Sequence, residues 1–149
     1  MIPKTQLQSI IAKYHLGEIE QIKWEIEDKQ LNINFVAPSN MVLGSVKCND
    51  FQMEDANLAI YNTKKLANLI SICNGDLMLD LERQMEIITK LKIADLNFNL
   101  EYALSDPLLI RKVGTAKAVD GWYVELQLSS EEIGNILRAK SAMSEVEQF

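Results

Sequence analysis

The chain has little of what usually carries chemistry in a protein of 149 residues. It has one histidine and two cysteines, Cys48 and Cys73, without a CxxC motif or metal-ligand spacing. P-loop, GxSxG, HExxH and GxGxxG sequences are absent. We therefore expect no catalytic residue, no metal site and no cofactor. The two cysteines are expected to be small buried apolar side chains rather than a disulfide.

Long apolar segments are missing too. No apolar run approaches the ~20 residues that a membrane span needs. The N-terminus also lacks the charged, apolar and small-residue series of a signal peptide. The sequence thus predicts a cytoplasmic protein without membrane contact. Its 48% hydrophobic content is sufficient for one domain with a proper core.

Two remaining candidates for chemistry have ordinary explanations. His15 is placed at the end of the first predicted helix, where a capping or surface role is favoured. Asp76, Asp80, Glu82 and Glu86 resemble neither a calcium loop nor an acid–base pair, because they lack the glycine pattern and a nearby histidine. We interpret these four carboxylates as the solvated face of a strand.

Acidic residues are absent from two segments of a chain whose formal net charge is −6. Residues 2–16 contain Lys4 and Lys13, and residues 57–75 contain Lys64 and Lys65, with no Asp or Glu in either. Each segment has the i, i+3, i+4 spacing of an amphipathic helix, and a third helix repeats it. The apolar triads are Leu7, Ile10, Ile11; Leu66, Leu69, Ile70; and Ile133, Ile136, Leu137.

The order of predicted elements is α-β-β-β-β-α-β-β-β, which indicates an α+β domain. Pro3 and Gly17 bound a first helix over 3–15, and Asn62 or Thr63 caps a second helix that stops at Gly75. Alternating patterns predict antiparallel strands at 19–27, 31–35, 41–47, 58–61, 77–81, 87–93 and 96–102. A strand at 122–128 follows, and Ser129 with Glu132 forms a capping box for the third helix.

These patterns predict a first domain over residues 1–104, a connector over 105–121 and the start of a second copy over 122–149. The connector contains Pro107, Gly114 and Gly121 with a basic centre at Arg111, Lys112 and Lys117. Placing Leu7 on Ile133 aligns the first and third helices at one constant offset. Because only residues 143–149 follow the third helix, we expect its apolar stripe to be poorly covered.

The lysines of the helices point in predictable directions. With 100° per residue, Lys64 and Arg138 point away from the core, Lys13 and Lys65 lie on the flanks, and Lys4 lies near the boundary. Lys64 and Lys65 occupy the first helical turn, where a cation opposes the helix dipole. For any single lysine an ordinary solvated face is the better explanation, but the missing carboxylates favour a surface that meets phosphates. We predict Lys4, Lys13, Lys64, Lys65 and Arg138 as the residues of this phosphate-binding surface.

The connector holds a second candidate site. Leu108, Leu109, Ile110 and Val113 form an apolar stretch within a segment that should be exposed, which is typical of a contact surface. The same side chains could instead pin the connector to the first domain, and one arrangement could do both.

Four segments resemble the DNA polymerase sliding clamps of T4-type bacteriophages. LAIYNTKKLANLISI at 58–72, IAD at 93–95 and YALSDP at 102–107 are similar to the first clamp domain. VELQLSSEEI at 124–133 is similar to the opening of the second domain. The resemblance covers almost the whole chain and agrees in order and spacing.

The resemblance implies a non-catalytic processivity factor for DNA replication. It implies an antiparallel sheet with two helices on one face, the helices facing duplex DNA and the sheet facing outward. Expected partners are duplex DNA, a replicative polymerase, a clamp loader and further copies paired through strand edges into an oligomeric ring. The connector would border the pocket for polymerase peptides, and a phage-encoded chain would act in the host cytoplasm. With one complete domain, the chain alone is not expected to form the trimeric ring.

A different class of function remains open at this point. The same composition suits a small-molecule or peptide-binding α+β module, with Trp24, Phe35, Tyr61 and Phe98 lining an internal apolar cavity. A basic, filled helical face would favour DNA, whereas a deep apolar cavity would favour the ligand binder.

Overall fold

The computed structural model describes residues 1–114, 121 and 123–142. It separates into two compact units, residues 1–116 and 117–149. The first unit contains the predicted order of elements, with most bounds within a few residues of those expected. Its elements are β1 (Ile2–Pro3), α1 (Lys4–His15), β2 (Ile22–Glu27), β3 (Gln30–Val36), β4 (Leu43–Cys48), β5 (Ala56–Ile60), α2 (Thr63–Ile72), β6 (Asp76–Gln84), β7 (Ile87–Ala94) and β8 (Asn99–Ala103), followed by a 3-10 turn (Pro107–Leu109).

The strands form two antiparallel four-stranded sheets rather than one. The strand orders are β1-β6-β7-β8 and β4-β3-β2-β5, and a bridge between Ala59 and Ser105 links β5 to the residues after β8. Each half of the unit is therefore a β-α-β-β-β motif, and each half places its first strand in the sheet of the other. Ile2 of β1 pairs with Leu77 of β6, and Leu58 of β5 pairs with Trp24 of β2. The predicted α+β class is confirmed.

The core lies between the two helices and the inner faces of the sheets. Leu7, Ile10, Ile11 and Tyr14 of α1 are buried, as the helical spacing predicts, and so are Leu66 and Ile70 of α2. Trp24 is fully buried and meets the rings of Tyr14 and Phe51 edge to face, at centroid distances of 6.4 and 6.3 Å. Burying each such side chain contributes about 1.5–3 kcal/mol, so the helices are held mainly by their apolar faces.

Two of the differences between the predicted and observed strands have local reasons. The last strand of the first unit begins at Asn99 rather than 96, because the Asp95 carboxylate accepts the backbone N–H groups of Asn97 and Phe98 and closes a turn. The two-residue strand β1 was not predicted, since Pro3 was assigned to the first helical turn. Pro3 instead precedes α1 in an extended conformation, with φ −57° and ψ 131°.

The described part of the second unit contains one helix, α3 (Ser130–Ala142). Its capping box is confirmed: the backbone N–H and hydroxyl of Ser129 both lie 2.7 Å from Glu132 Oε2, and Glu132 donates its N–H to Ser129 Oγ. Residues 123–129 form no strand, so the strand predicted at 122–128 is wrong there; a strand needs a pairing partner, which this part of the unit lacks. Lys117, Trp122 and residues 143–149 lie outside the described residues.

The apolar stripe of α3 is largely uncovered, as predicted. Ile133, Ile136 and Leu137 are 46%, 47% and 59% exposed. By contrast, the equivalent side chains of α1 and α2 are buried or partly buried.

Candidate nucleic-acid interface

The outward faces of α1 and α2 carry no carboxylate. The two helices pack beside each other in the first unit, and neither contains Asp or Glu. We call their exposed residues the outer helical face. It comprises Thr5, Gln8, Ser9, Ala12 and Lys13 of α1 and Lys64, Lys65, Asn68, Ser71 and Ile72 of α2. Apart from Ala12 and Ile72, these are hydrogen-bonding or cationic side chains, the types that contact phosphate and sugar oxygens.

Three of the predicted DNA-binding lysines lie on this face. Lys13, Lys64 and Lys65 are exposed, and within the described residues none of them forms an ion pair with a carboxylate. Their charges are therefore free to attract an external anion. All three lysines are exposed on the two helices that pack beside each other in the first unit.

Lys4 is placed differently from the other lysines. Its ammonium donates to the backbone carbonyl of Ser71 at 2.7 Å and to that of Cys73, both at the C-terminal end of α2. It satisfies carbonyls that the end of a helix leaves unpaired and lies favourably at the negative end of the helix dipole. Lys4 thus ties the start of α1 to the end of α2, a role that sequence reasoning missed because it needs both helices in place.

Arg138 belongs to the second unit. It is exposed on α3 and donates to the side-chain oxygen of Asn135, one turn earlier. Its predicted contact with DNA stays a prediction.

The first turn of α2 tolerates two lysines because other groups cap it. Asn62 Oδ1 accepts the N–H of Lys65 at 2.7 Å, and Glu20 Oε2 accepts the N–H of Lys64 at 3.0 Å. The Glu20 carboxylate also supplies negative charge at the positive end of the helix dipole. The Lys64 N–H is the main cause that holds the pKa of Glu20 below its usual value, with a further contribution from His15.

The same helix end is anchored from the sheet. Tyr102 of β8 accepts the N–H of Asn62 at 2.9 Å and donates its hydroxyl to the Asn62 carbonyl at 3.1 Å. Burial raises the pKa of Tyr102 to about 12, so the hydroxyl stays protonated and available as a donor. The helix that presents Lys64 and Lys65 is therefore fixed to the core on two sides.

The predicted partner residues of the connector separate into two groups. Ile110 is buried and Val113 half-buried, and both line a cavity of about 340 Å³. Leu108 and Leu109 are 89% and 75% exposed and do not line it. The remaining lining residues come from the segment before β2 and the end of β3: Glu18, Ile19, Glu20, Gln21, Ile22, Val36, Ala37, Pro38 and Arg111.

The four aromatic residues proposed to line an internal ligand cavity are not brought together. Trp24 is packed in the core, and Phe35 lies across the neighbouring strand over Gly44, where an added Cβ would be 2.4 Å from its ring. Tyr61 stacks on Tyr102 at 5.5 Å, and Phe98 is 39% exposed. The alternative of a ligand binder with this aromatic cavity loses its site.

Metal-ligand clusters and membrane-spanning helices are two features that the described part of the chain lacks. No group of three or more His, Cys, Asp or Glu side chains is arranged to hold a metal ion. None of the described helices has the length and apolar content required to cross a membrane.

Comparison with known proteins gives a fold and no sequence family. No family model and no curated protein sequence matches the chain. Among solved structures, the Helicobacter pylori beta clamp in complex with 5-chloroisatin aligns over 78% of this chain at TM-score 0.60 and 13% identity. The DNA polymerase III subunit beta from Pseudomonas aeruginosa aligns over 77% at TM-score 0.52 and 14% identity. The chain spans about a third (32%) of each of these proteins. Its own fold is that of a sliding clamp.

Proposed function

We propose that the chain is part of a non-catalytic DNA clamp whose outer helical face lies against duplex DNA. The observation that carries this proposal is the acid-free outer helical face, in a chain of net charge −6 with the sliding-clamp fold. On this face Lys13, Lys64 and Lys65 form no ion pair with any described residue. A clamp that slides must bind phosphates without reading bases, and a few lysines among small polar side chains provide that chemistry. Arg138 of α3, and to a lesser extent Lys4, would add to the same function.

A more specific proposal rests on the sequence resemblance to phage clamps. We place the chain with T4-type phage clamps, acting in the host cytoplasm to keep a replicative polymerase on its template, with a clamp loader to open the ring. Supporting this, β4 and β8 each pair with a neighbour on one side only among the described strands. Such edges offer unpaired backbone groups to further copies.

The cavity beside the connector is the proposed polymerase site. Its volume of about 340 Å³ is sufficient for a few side chains of a peptide. Ile110 and Val113 would contact the apolar anchors of the peptide, and exposed Leu108 and Leu109 would extend the surface.

The DNA assignment is tested by comparing two triple variants with the same change in net charge. One variant carries Lys13→Glu, Lys64→Glu and Lys65→Glu; the control carries Lys23→Glu, Lys29→Glu and Lys47→Glu, which lie outside α1 and α2. Binding of a labelled duplex is measured by fluorescence anisotropy over a series of salt concentrations. We expect the helix variant to lose affinity and its salt slope to fall by about three, one for each phosphate contact. Equal losses in the two variants would remove the outer helical face from the function.

Two serine variants test the proposed peptide site. Val113→Ser changes a residue that lines the cavity, and Leu109→Ser changes a neighbour that does not. A short synthetic peptide with one leucine and one phenylalanine anchor is titrated and followed by chemical shifts. We expect the larger loss of binding for Val113→Ser, which lines the cavity, and a smaller loss for Leu109→Ser, which only extends its surface. Equal losses of binding in the two variants would remove the cavity from the proposed peptide site.

A further inference from the structure

Glu20 forms hydrogen bonds with the last residue of α1 and with the first turn of α2. Its Oε1 is 3.1 Å from Nε2 of His15, the last residue of α1, and its Oε2 accepts the N–H of Lys64. Its backbone carbonyl accepts the N–H and the hydroxyl of Thr63, each at 3.0 Å. Four contacts of a single residue thus join the end of α1 to the first turn of α2.

These contacts have a direct consequence for the lysines of the outer helical face. Lys13 lies two residues before His15, and the backbone of Lys64 is itself bound by Glu20. Because Thr63 is fully buried, the backbone of the first turn is held at a defined position. The Glu20 side chain therefore connects the last turn of α1, which carries Lys13, to the backbone of Lys64.

The charge of Glu20 is unfavourable for the proposed function. Its carboxylate is 41% exposed and lies beside a surface that otherwise has no acid. Electrostatics alone would therefore make duplex binding stronger without it. A carboxylate at this position is explained if the geometry that it imposes strengthens duplex binding more than its negative charge weakens it.

We propose that Glu20 is a positioning residue for DNA binding, which holds Lys64 in register with Lys13. The inference rests on the proposed function and deepens it. According to this inference, Glu20 strengthens duplex binding although its negative charge alone would weaken it.

Glu18 provides the matched control. It is exposed, lies two residues away with the same charge, and its side chain forms no hydrogen bond or ion pair with the described residues. Glu18→Ala therefore reports the charge change alone. Glu20→Ala removes the same charge and, in addition, the bridge between His15 and Lys64. Glu20→Gln removes the charge and keeps an oxygen that accepts the Lys64 N–H.

The experiment measures the affinity of the full chain and of the three variants for a labelled duplex at several salt concentrations. We expect Glu18→Ala to bind slightly more tightly with an unchanged salt slope. Glu20→Ala should bind about threefold more weakly at moderate salt, with a slope lower by about one, as for the loss of one phosphate contact. Glu20→Gln should restore the slope and bind at least as tightly as the unchanged chain.

The outcomes separate this inference from the proposed function. If Glu20→Ala binds more tightly, like Glu18→Ala, the positioning role is wrong while the DNA function stands. If the unchanged chain shows no salt-dependent duplex binding, the proposed function fails first. Amide hydrogen exchange then still tests the bridge: exchange of the Lys64 N–H should accelerate in Glu20→Ala and not in Glu18→Ala, at unchanged melting temperature. Equal exchange in both variants would overturn the bridge itself.

Discussion

The exposed lysines of the two helices and the two lysines of β7 have opposite surroundings. On the sheet, Lys90 of β7 lies 2.8 Å from Glu101 and 3.1 Å from Glu82, and Lys92 lies 3.0 Å from Glu82. On the outer helical face, Lys13, Lys64 and Lys65 have no carboxylate within ion-pair distance in the described residues.

The difference shows how one acidic chain produces two kinds of surface. Cross-strand ion pairs such as Lys90 and Glu82 stabilise a sheet locally and cancel its field. The helices forgo the i, i+4 ion pairs that usually support exposed helices, and keep their positive field instead. The net charge alone predicts a protein that repels DNA. The distribution of the charge determines whether one of its surfaces can attract DNA.

The strongest test of this difference is to place a carboxylate beside a lysine of the helix, as in the ion pairs of β7. Asn68→Glu places a carboxylate one turn after Lys64, where the two side chains can pair. We expect duplex affinity to fall by about three- to tenfold, because one phosphate contact is lost and a negative charge is added. Anisotropy titrations measure the loss, and Asn68→Gln is the uncharged control. An unchanged affinity for Asn68→Glu would mean that this part of α2 does not face DNA.

A second change tests the sheet in the opposite direction. Lys90→Glu with Lys92→Glu turns attractive pairs around Glu82 and Glu101 into like-charge contacts. The melting temperature should decrease, while duplex binding should fall no more than it does in the Lys23, Lys29 and Lys47 control. Loss of binding as large as that of the helix variant would show that the sheet also meets DNA.

The smallest expected effect is a pH dependence specific to the sheet. Hydrogen bonds from Lys92 first, and then from Lys90, hold the pKa of Glu82 below its ordinary value of 4.5. A carboxylate with a lowered folded-state pKa contributes stability above its unfolded pKa and loses it as the pH falls through the folded value. Denaturation curves of the unchanged chain should therefore show a contribution that disappears below about pH 4.5 and is absent in Glu82→Gln. Identical pH profiles would show that the pair contributes nothing.

The sequence predicted the elements of the first unit because their patterns are local. The triad of Leu7, Ile10 and Ile11, and the alternation from Ile22 to Ile26, depend only on which residues face the core. Ser129 and Glu132 formed their capping box for the same reason. The strand at 122–128 failed because alternation describes a strand without supplying its partner.

The contacts between elements were beyond the reach of these patterns. The division into two sheets, the pairing of Ile2 with Leu77 and the engagement of Lys4 all join residues that are far apart in the chain. Of the candidate site, the sequence predicted the residues on the helices but not the residue that joins them. Helical geometry placed Lys13, Lys64 and Lys65 outward, but Glu20 lies outside both helices and gave no signal. A carboxylate shortly before a strand becomes informative only when both helix ends are known.

The exchange of first strands between the two halves also governs how the first unit reaches its structure. Neither half can complete its sheet from its own residues, since β1 needs β6 and β5 needs β2. The unit should therefore fold in a single cooperative transition. Folding should be slow for its size, because the entropy of closing long loops is lost before contacts between distant residues stabilise the fold. Cutting the chain in the loop between β4 and β5 should yield two fragments that are unstructured apart and associate into one folded domain when mixed.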